Sequence, residues 1–203
     1  MAKIALIGAS GNAGSRILKE LSDRGHQVTA IARNPEKIAA LPGVTAAAGD
    51  AQDAASLAGM VQGHDAVISS VRFTGTDFSI ITDALRKAGV ARYLVVGGAA
   101  SLEVAPGKRL LDSPEFPAEY KEEATNGAAA LDYLRTLNDL EWTFLSPSAM
   151  FIPGERTGTF RLGKDELLGN EIGSRISYED YAIAMVDEIE TPKHIRQRFT
   201  VGY

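Results

Sequence analysis

The chain has 203 residues, 45% hydrophobic and 23% charged, a balance that excludes wholesale disorder and suits one domain, residues 1–203, around one core. Its formal net charge of −5 lacks the basic footprint of a general nucleic-acid binder. Cysteine is absent, which excludes disulfides, thiol nucleophiles and cysteine-held metals and agrees with a reducing compartment.

The elements follow one another in a regular rhythm. Residues 4–7 form an apolar strand run that ends at Gly8. Residues 13–21 carry Ile17, Leu18 and Leu21 on one helical side and Arg16, Lys19 and Glu20 on the other, with Gly25 as a stop. A second strand spans 28–32, and Asn34-Pro35 opens a short helix through Leu41. A weaker strand at 44–48 precedes a helix at 53–60, a strand at 66–71, a helix at 78–88 and a strand at 93–96. A long helix at 120–137, a strand at 142–145, a helix at 179–188 and a strand at 198–201 complete the order.

Short, continuously apolar strands separated by helices predict βαβ units. The expected fold class is α/β: a doubly wound Rossmann fold whose parallel central sheet carries helices on both faces. Two stretches, about 98–118 and 146–171, interrupt the alternation with prolines and glycines. Both follow strands and so leave the carboxyl edge of the sheet, where open α/β sheets bind ligands; a small substrate-covering region is expected there. No apolar run reaches the ~18–20 residues of a membrane span, and the N-terminus lacks a signal-peptide layout, so the expected location is the cytoplasm, with no membrane partner.

The strongest chemical signal is Gly8-Ala9-Ser10-Gly11-Asn12-Ala13-Gly14, set between a strand and a helix. In that context a glycine turn binds a dinucleotide pyrophosphate. Gly8 permits the turn, Gly11 lets the main chain approach the phosphates, and Gly14 lets the helix sit close to the sheet. The helix N-terminus supplies bare N–H groups and the positive end of its macrodipole. Ser10 and Asn12 are available to add side-chain hydrogen bonds.

The end of the second strand discriminates between dinucleotides. An NAD site places a carboxylate there for the ribose 2′-hydroxyl. This chain has Arg33, a partner for a 2′-phosphate, with Lys37 one turn on, and NADP(H) is expected to be favoured over NAD(H). Stacking of the guanidinium on an adenine is the alternative for Arg33, and a plain surface charge for Lys37. Asp50, before Ala51, follows the third strand; either Asp50 or Asp53 suits a helix N-cap.

The spacing G-x-x-G-x-x-G resembles that of the extended and atypical short-chain dehydrogenase/reductases. In those families an aspartate placed like Asp50 touches the adenine amino group, and main chain placed like Ser69, Ser70 and Val71 runs along the cofactor ribose. Ordinary members transfer protons with a Tyr-x-x-x-Lys pair. Here Tyr93, Tyr120, Tyr133, Tyr178 and Tyr181 are followed four residues on by Gly97, Ala124, Leu137, Ala182 and Met185. The missing pair argues against carbonyl reduction, epimerisation and dehydration by the usual route.

Lys121 resembles the lysine that lies by the nicotinamide ribose in the NmrA-like and isoflavone-reductase-like groups. Its alternative is a surface ion pair. Tyr120 beside it points about 100° away on the helix. Ser101 is available to a substrate or flavin oxygen, or is an ordinary loop hydroxyl. In the resembling families a turn like Pro147-Ser148 offers main chain to the nicotinamide carboxamide, and Met150, Phe151 and Phe160 suit either an apolar wall for a planar ring or the core beneath a loop. Taken along nearly its whole length, the chain resembles the NADH-flavin reductase-like or biliverdin-reductase-B-like group of atypical short-chain reductases. The resemblance implies hydride transfer from NAD(P)H to a flavin or quinone, a flavin being substrate, by a monomer or homodimer. A non-catalytic NmrA-like redox sensor is the alternative. The three histidines lack metal-ligand spacing, and no metal is expected.

Overall fold

The computed structural model describes all 203 residues. Its centre is an eight-stranded sheet. Strand β1 (Lys3–Ile7) is flanked on one side by β2 (Gln27–Ala32) and β3 (Val44–Ala48), and on the other by β4 (Ala66–Ser69), β5 (Arg92–Val96), β8 (Glu141–Pro147) and β12 (Gln197–Gly202). These seven strands pair in parallel, and β10 (Arg161–Gly163) adds an antiparallel edge on β12. The order β3-β2-β1-β4-β5-β8-β12 is that of a Rossmann fold. The chain reverses direction between β1 and β4, and ligands bind at that crevice.

The continuous apolar strands are explained by two cores. Ile4 and Leu6 of β1 face a cluster with Ile17 and Leu21 of helix α1 (Asn12–Asp23) and Met185 of helix α5 (Tyr178–Glu190). Ala5 and Ile7 face the opposite cluster, with Leu57 of α2 (Ala54–Val61), Ile81 and Leu85 of α3 (Phe78–Ala88) and Leu134 of α4 (Lys121–Arg135). A strand covered on both sides favours apolar residues at successive positions. Strand β3, at the sheet edge, is half exposed, which is why its sequence marks it weakly. No helix is long and apolar enough to cross a membrane.

Several expected boundaries shift. The helix expected at 34–41 shrinks to one 3-10 turn, Pro35–Lys37. Pro42 disfavours the helical region for Leu41, and Gly43 takes φ +73°, so the turn cannot propagate. The strand expected at 66–71 stops at Ser69, where Ser70 turns to meet the first glycine turn. The helix expected from 120 begins at Lys121 and follows a 3-10 turn, Ala118–Tyr120. The two long loops contain small strands whose short sequences carry no periodicity. A hairpin of β6 (Glu103–Ala105) and β7 (Lys108–Arg109) turns at Gly107, and β9 (Met150–Ile152) pairs in parallel with β11 (Arg175–Ser177).

Candidate functional site: two adjoining clefts at the sheet's carboxyl edge

The turn after β1 is fixed from behind and bare in front. The N–H groups of Gly8 and Ala9 donate to the Ile31 carbonyl at 2.9 and 3.2 Å, and that of Gly11 donates to the Gly8 carbonyl at 3.1 Å. Gly11 caps α1 without a side-chain bond, and the first turn of α1 holds no acid. The N–H groups of Ser10, Asn12, Ala13 and Gly14 therefore have no intramolecular acceptor. A cluster of unpaired amides at the positive end of a helix is the donor set that a diphosphate requires.

The three glycines differ in what enforces them. Gly8 has φ +80°, and a Cβ there would overlap the Ser70 carbonyl. A Cβ at Gly14 would overlap the Gly8 carbonyl, so this glycine sets the approach of helix to strand. At Gly11 a Cβ would come no closer than 3.3 Å to the Gly8 oxygen, and the residue is exposed. Packing thus demands Gly8 and Gly14, whereas Gly11 keeps the outer surface of the turn clear.

Beside the turn lies a cleft of about 420 Å³ lined by Gly8, Ser10, Gly11, Arg33, Asp50, Ala51, Ser70 and Val71, together with Gln52 and residues of the segment that follows β4. It gathers about half of the residues expected to hold a dinucleotide. Arg33 is exposed and makes no ion pair, so its guanidinium is free to meet an anion. Asp50 accepts the Gln52 N–H at 2.9 Å, while Asp53 caps α2 by accepting the Ser56 N–H at 3.2 Å. Lys37, exposed on its 3-10 turn, lies outside the lining. Ser69 lies below the cleft: its side chain is fully buried, and its hydroxyl is 2.8 Å from the Tyr93 hydroxyl. That side chain belongs to the core, and Ser70, next in the chain, lines the cleft.

Across the segment after β4 lies a larger pocket, about 650 Å³ and mostly apolar. Gly97 and Gly98, which follow β5, line it together with Pro147 and Ser148 at the end of β8, and Phe73, Tyr120, Phe151 and Tyr178 supply aromatic walls. The Phe151 ring packs edge-on to Tyr178 at 4.5 Å between centroids. Of the three residues considered for an apolar wall, Phe151 serves; Met150 points outward, 53% exposed, and Phe160 packs against the core. The Ser148 hydroxyl donates to the Val201 carbonyl at 3.1 Å, so its side chain anchors the turn.

Two expected catalytic residues stand apart from this pocket. Lys121 is exposed at the first residue of α4 and is not part of the lining. The Ser101 hydroxyl accepts from Arg198 at 3.1 Å, in a network that ties Arg198 to Asp165 at 2.6 Å, and it too lies outside the lining. The structure also accounts for the tyrosines. Tyr93 pairs with Ser69, Tyr133 with Thr82 at 2.7 Å, Tyr181 with the Leu145 carbonyl at 2.7 Å and Tyr203 with Asp180 at 2.7 Å. Burial pushes the phenols of Tyr93 and Tyr181 well above their ordinary value. Only Tyr120 and Tyr178 face the pocket, and neither has a lysine one turn on.

Sequence reasoning missed what holds the two clefts in register. The Glu123 carboxylate accepts the N–H groups of Phe73 and Thr74 at 2.7 and 2.8 Å, tying α4 to the segment between the clefts. Burial raises its pKa, but the bonds from Thr74 and Phe73 outweigh that and hold it below the ordinary value. Gly127, one helical turn on, lets the Phe73 ring approach; a Cβ there would stand 3.0 Å from it. An acid in the first turn of a helix reads in sequence as a partner of the helix dipole, and nothing local links it to a chain segment some fifty positions away. No group of three or more His, Asp or Glu side chains is placed to hold a metal ion.

Comparison with known proteins places this geometry in context. A crystal structure from Burkholderia pseudomallei, provisionally described as an exported protein, is 50% identical over the whole of both chains, with a TM-score of 0.90. One from Bacteroides thetaiotaomicron, provisionally an epimerase, is 42% identical, covering 100% of this chain and 97% of the other, with a TM-score of 0.94. SP1627 of Streptococcus pneumoniae, provisionally an NADH-flavin reductase, is 39% identical over 100% of this chain and 99% of the other, with a TM-score of 0.80. Residues 8–192 match the NAD(P)H-binding family, and the chain is a member of that family.

Proposed function

We propose that this protein is an NAD(P)H-dependent oxidoreductase, favouring NADPH, that passes hydride to a planar flavin- or quinone-type acceptor without a Tyr-x-x-x-Lys pair. The observation that carries the reading is the junction of two unlike clefts at the switch point. One presents bare amides and an unpaired Arg33; the other is aromatic and apolar and holds no lysine-coupled tyrosine. The likeness to SP1627 supports a flavin as acceptor.

The residues fit a dinucleotide. The amides of Ser10, Asn12, Ala13 and Gly14 would hold the diphosphate, Arg33 the 2′-phosphate and Asp50 the adenine edge. The main chain at Pro147 and Ser148 would face the nicotinamide. When bound, the reduced nicotinamide supplies a hydride, so the chain need not supply a nucleophile. Its own residues position and desolvate: Phe73, Phe151 and Tyr178 hold a flat ring and exclude water. The acceptor gains two electrons and one proton as hydride and takes a second proton from solvent, giving a dihydroflavin or hydroquinone. Epimerisation needs an acid–base pair on the substrate carbon, which the pocket does not offer.

Purified protein, NADPH and either riboflavin or menadione, followed at 340 nm, tests the reading. Steady oxidation with turnover is expected. Tight binding without turnover supports the sensor reading instead, and the proposed activity then fails. The absence of a membrane-crossing helix and of cysteine supports a cytoplasmic enzyme.

A further inference from the structure

The acceptor pocket carries a charge pattern that the reaction alone does not require. Its lining contains no lysine or arginine, and its one ionised group is Glu123. That carboxylate is fixed, because both oxygens accept backbone N–H groups and its pKa is depressed. The lip of the pocket, residues 109–123, adds Asp112, Glu115, Glu119 and Glu122 against only Arg109 and Lys121. Arg109 is already held by Asp112 at 2.7 Å. The nearby cations outside the lip already face carboxylates. Arg72, which lines the dinucleotide cleft, stands 3.9 Å from the Glu123 carboxylate, and Arg16, over the Tyr178 ring, is bonded to Glu179 at 3.0 Å.

We infer that the second substrate is an uncharged planar acceptor, and that the pocket discriminates against acceptors carrying phosphate, carboxylate or sulfonate groups. The inference rests on the proposed hydride transfer and specifies its substrate class. A phosphate entering this pocket would lose hydration without meeting a cation in the lining, and it would approach a lip in which acids outnumber bases. A neutral ring loses nothing polar and gains contact with Phe73, Phe151 and Tyr178. Selectivity here arises by repulsion of the charged competitor and not by tighter binding of the neutral one.

Riboflavin and FMN share the ring and differ by the phosphate, so their kcat/KM ratio reads this discrimination directly. Riboflavin is expected to exceed FMN by about tenfold at low salt, the scale of one uncompensated charge near a low-dielectric wall. The ratio should shrink as salt is raised, because the lip is solvated and screened. Menadione should likewise exceed anthraquinone-2,6-disulfonate. The Glu119→Gln/Glu122→Gln double variant should raise FMN activity without raising that of riboflavin. Equal kcat/KM values for riboflavin and FMN, or a preference for FMN, overturn the inference while leaving the hydride transfer standing. No NADPH oxidation with any of the four acceptors removes the proposed reaction itself.

Discussion

The Glu123 carboxylate reaches out of α4 to take the Phe73 N–H at 2.7 Å and the Thr74 N–H at 2.8 Å. Through these two bonds a single side chain determines how far apart the two clefts stand, because the segment it grips is the partition between them. Replacing it with alanine leaves two donors without acceptors, which costs ~1–3 kcal/mol. Urea denaturation of Glu123→Ala should show that loss, and the KM for NADPH should rise with it. The effect depends on pH in a defined direction. The folded-state pKa lies below the ordinary carboxylate value of 4.5, so the stabilisation is present above that value and lost as pH falls through the folded pKa. Wild type and variant should therefore differ at pH 7 and converge at strongly acid pH; a difference independent of pH would remove the ionised carboxylate from the account.

Gly11 and Gly14 separate binding from folding. Gly11→Val meets only a marginal contact in the protein but fills the surface that a diphosphate would occupy. Calorimetry should detect no binding of NADPH or NADH to a variant whose circular dichroism and melting are near those of wild type. Gly14→Val drives a side chain into the Gly8 carbonyl and should lower stability by several kcal/mol, in the range for strain at a tightly packed site. Nucleotide binding retained by Gly11→Val would rule out the glycine turn as the phosphate site.

Arg33 decides between the two dinucleotides. Its guanidinium faces the cleft with no carboxylate partner, so no internal bond is lost when it is removed. Arg33→Ala should weaken NADPH by about 10–100-fold, the worth of one or two charge-assisted hydrogen bonds, and change NADH by less than about threefold. Titration of intrinsic fluorescence with each cofactor measures both. Equal losses would indicate stacking on the adenine, the contact that both dinucleotides share.

How much of this was legible in the sequence depends on the range of each interaction. The doubly wound sheet, with helices on both faces, follows from strands such as residues 4–7, where each apolar side chain answers to one of two cores. The glycine turn was legible because its chemistry is local: strand, turn and helix start within a dozen residues. The Ser69 side chain turns into the core because Tyr93 on the adjacent strand receives it, a contact that no local pattern reports. Ser101 is engaged by Arg198 from almost a hundred residues away, and Glu123 grips Phe73 from fifty. No periodicity or spacing reports such pairs. The lysine expected beside the nicotinamide ribose was placed by resemblance; here α4 begins at Lys121 itself, with Tyr120, Glu123, Ala124 and Gly127 of that stretch facing the pocket.

The opposite end of the sheet offers a control on all of these assignments. Arg92 opens β5 and Glu188 lies near the end of α5, and their side chains, 10% and 3% exposed, meet at 3.0 Å. Glu188 also accepts the N–H groups of Lys193 and His194 and contacts the His194 ring at 2.8 Å, so one buried carboxylate closes the turn after α5. Removing it leaves a buried guanidinium without its counter-ion, the costly half of a buried pair. Glu188→Ala should therefore lose ~3–5 kcal/mol in urea denaturation. Replacing both partners together, as Arg92→Met/Glu188→Met, removes both charges at once and should recover part of that loss, because an apolar pair carries no desolvation penalty. Neither variant touches the carboxyl edge, so below the unfolding transition the Kd for NADPH should stay within about twofold of wild type, as expected for distant, independent sites. A change in cofactor affinity with stability intact would mean that the two ends of the sheet are coupled, and that stability and binding in the Glu123 and Gly11 variants cannot be read independently.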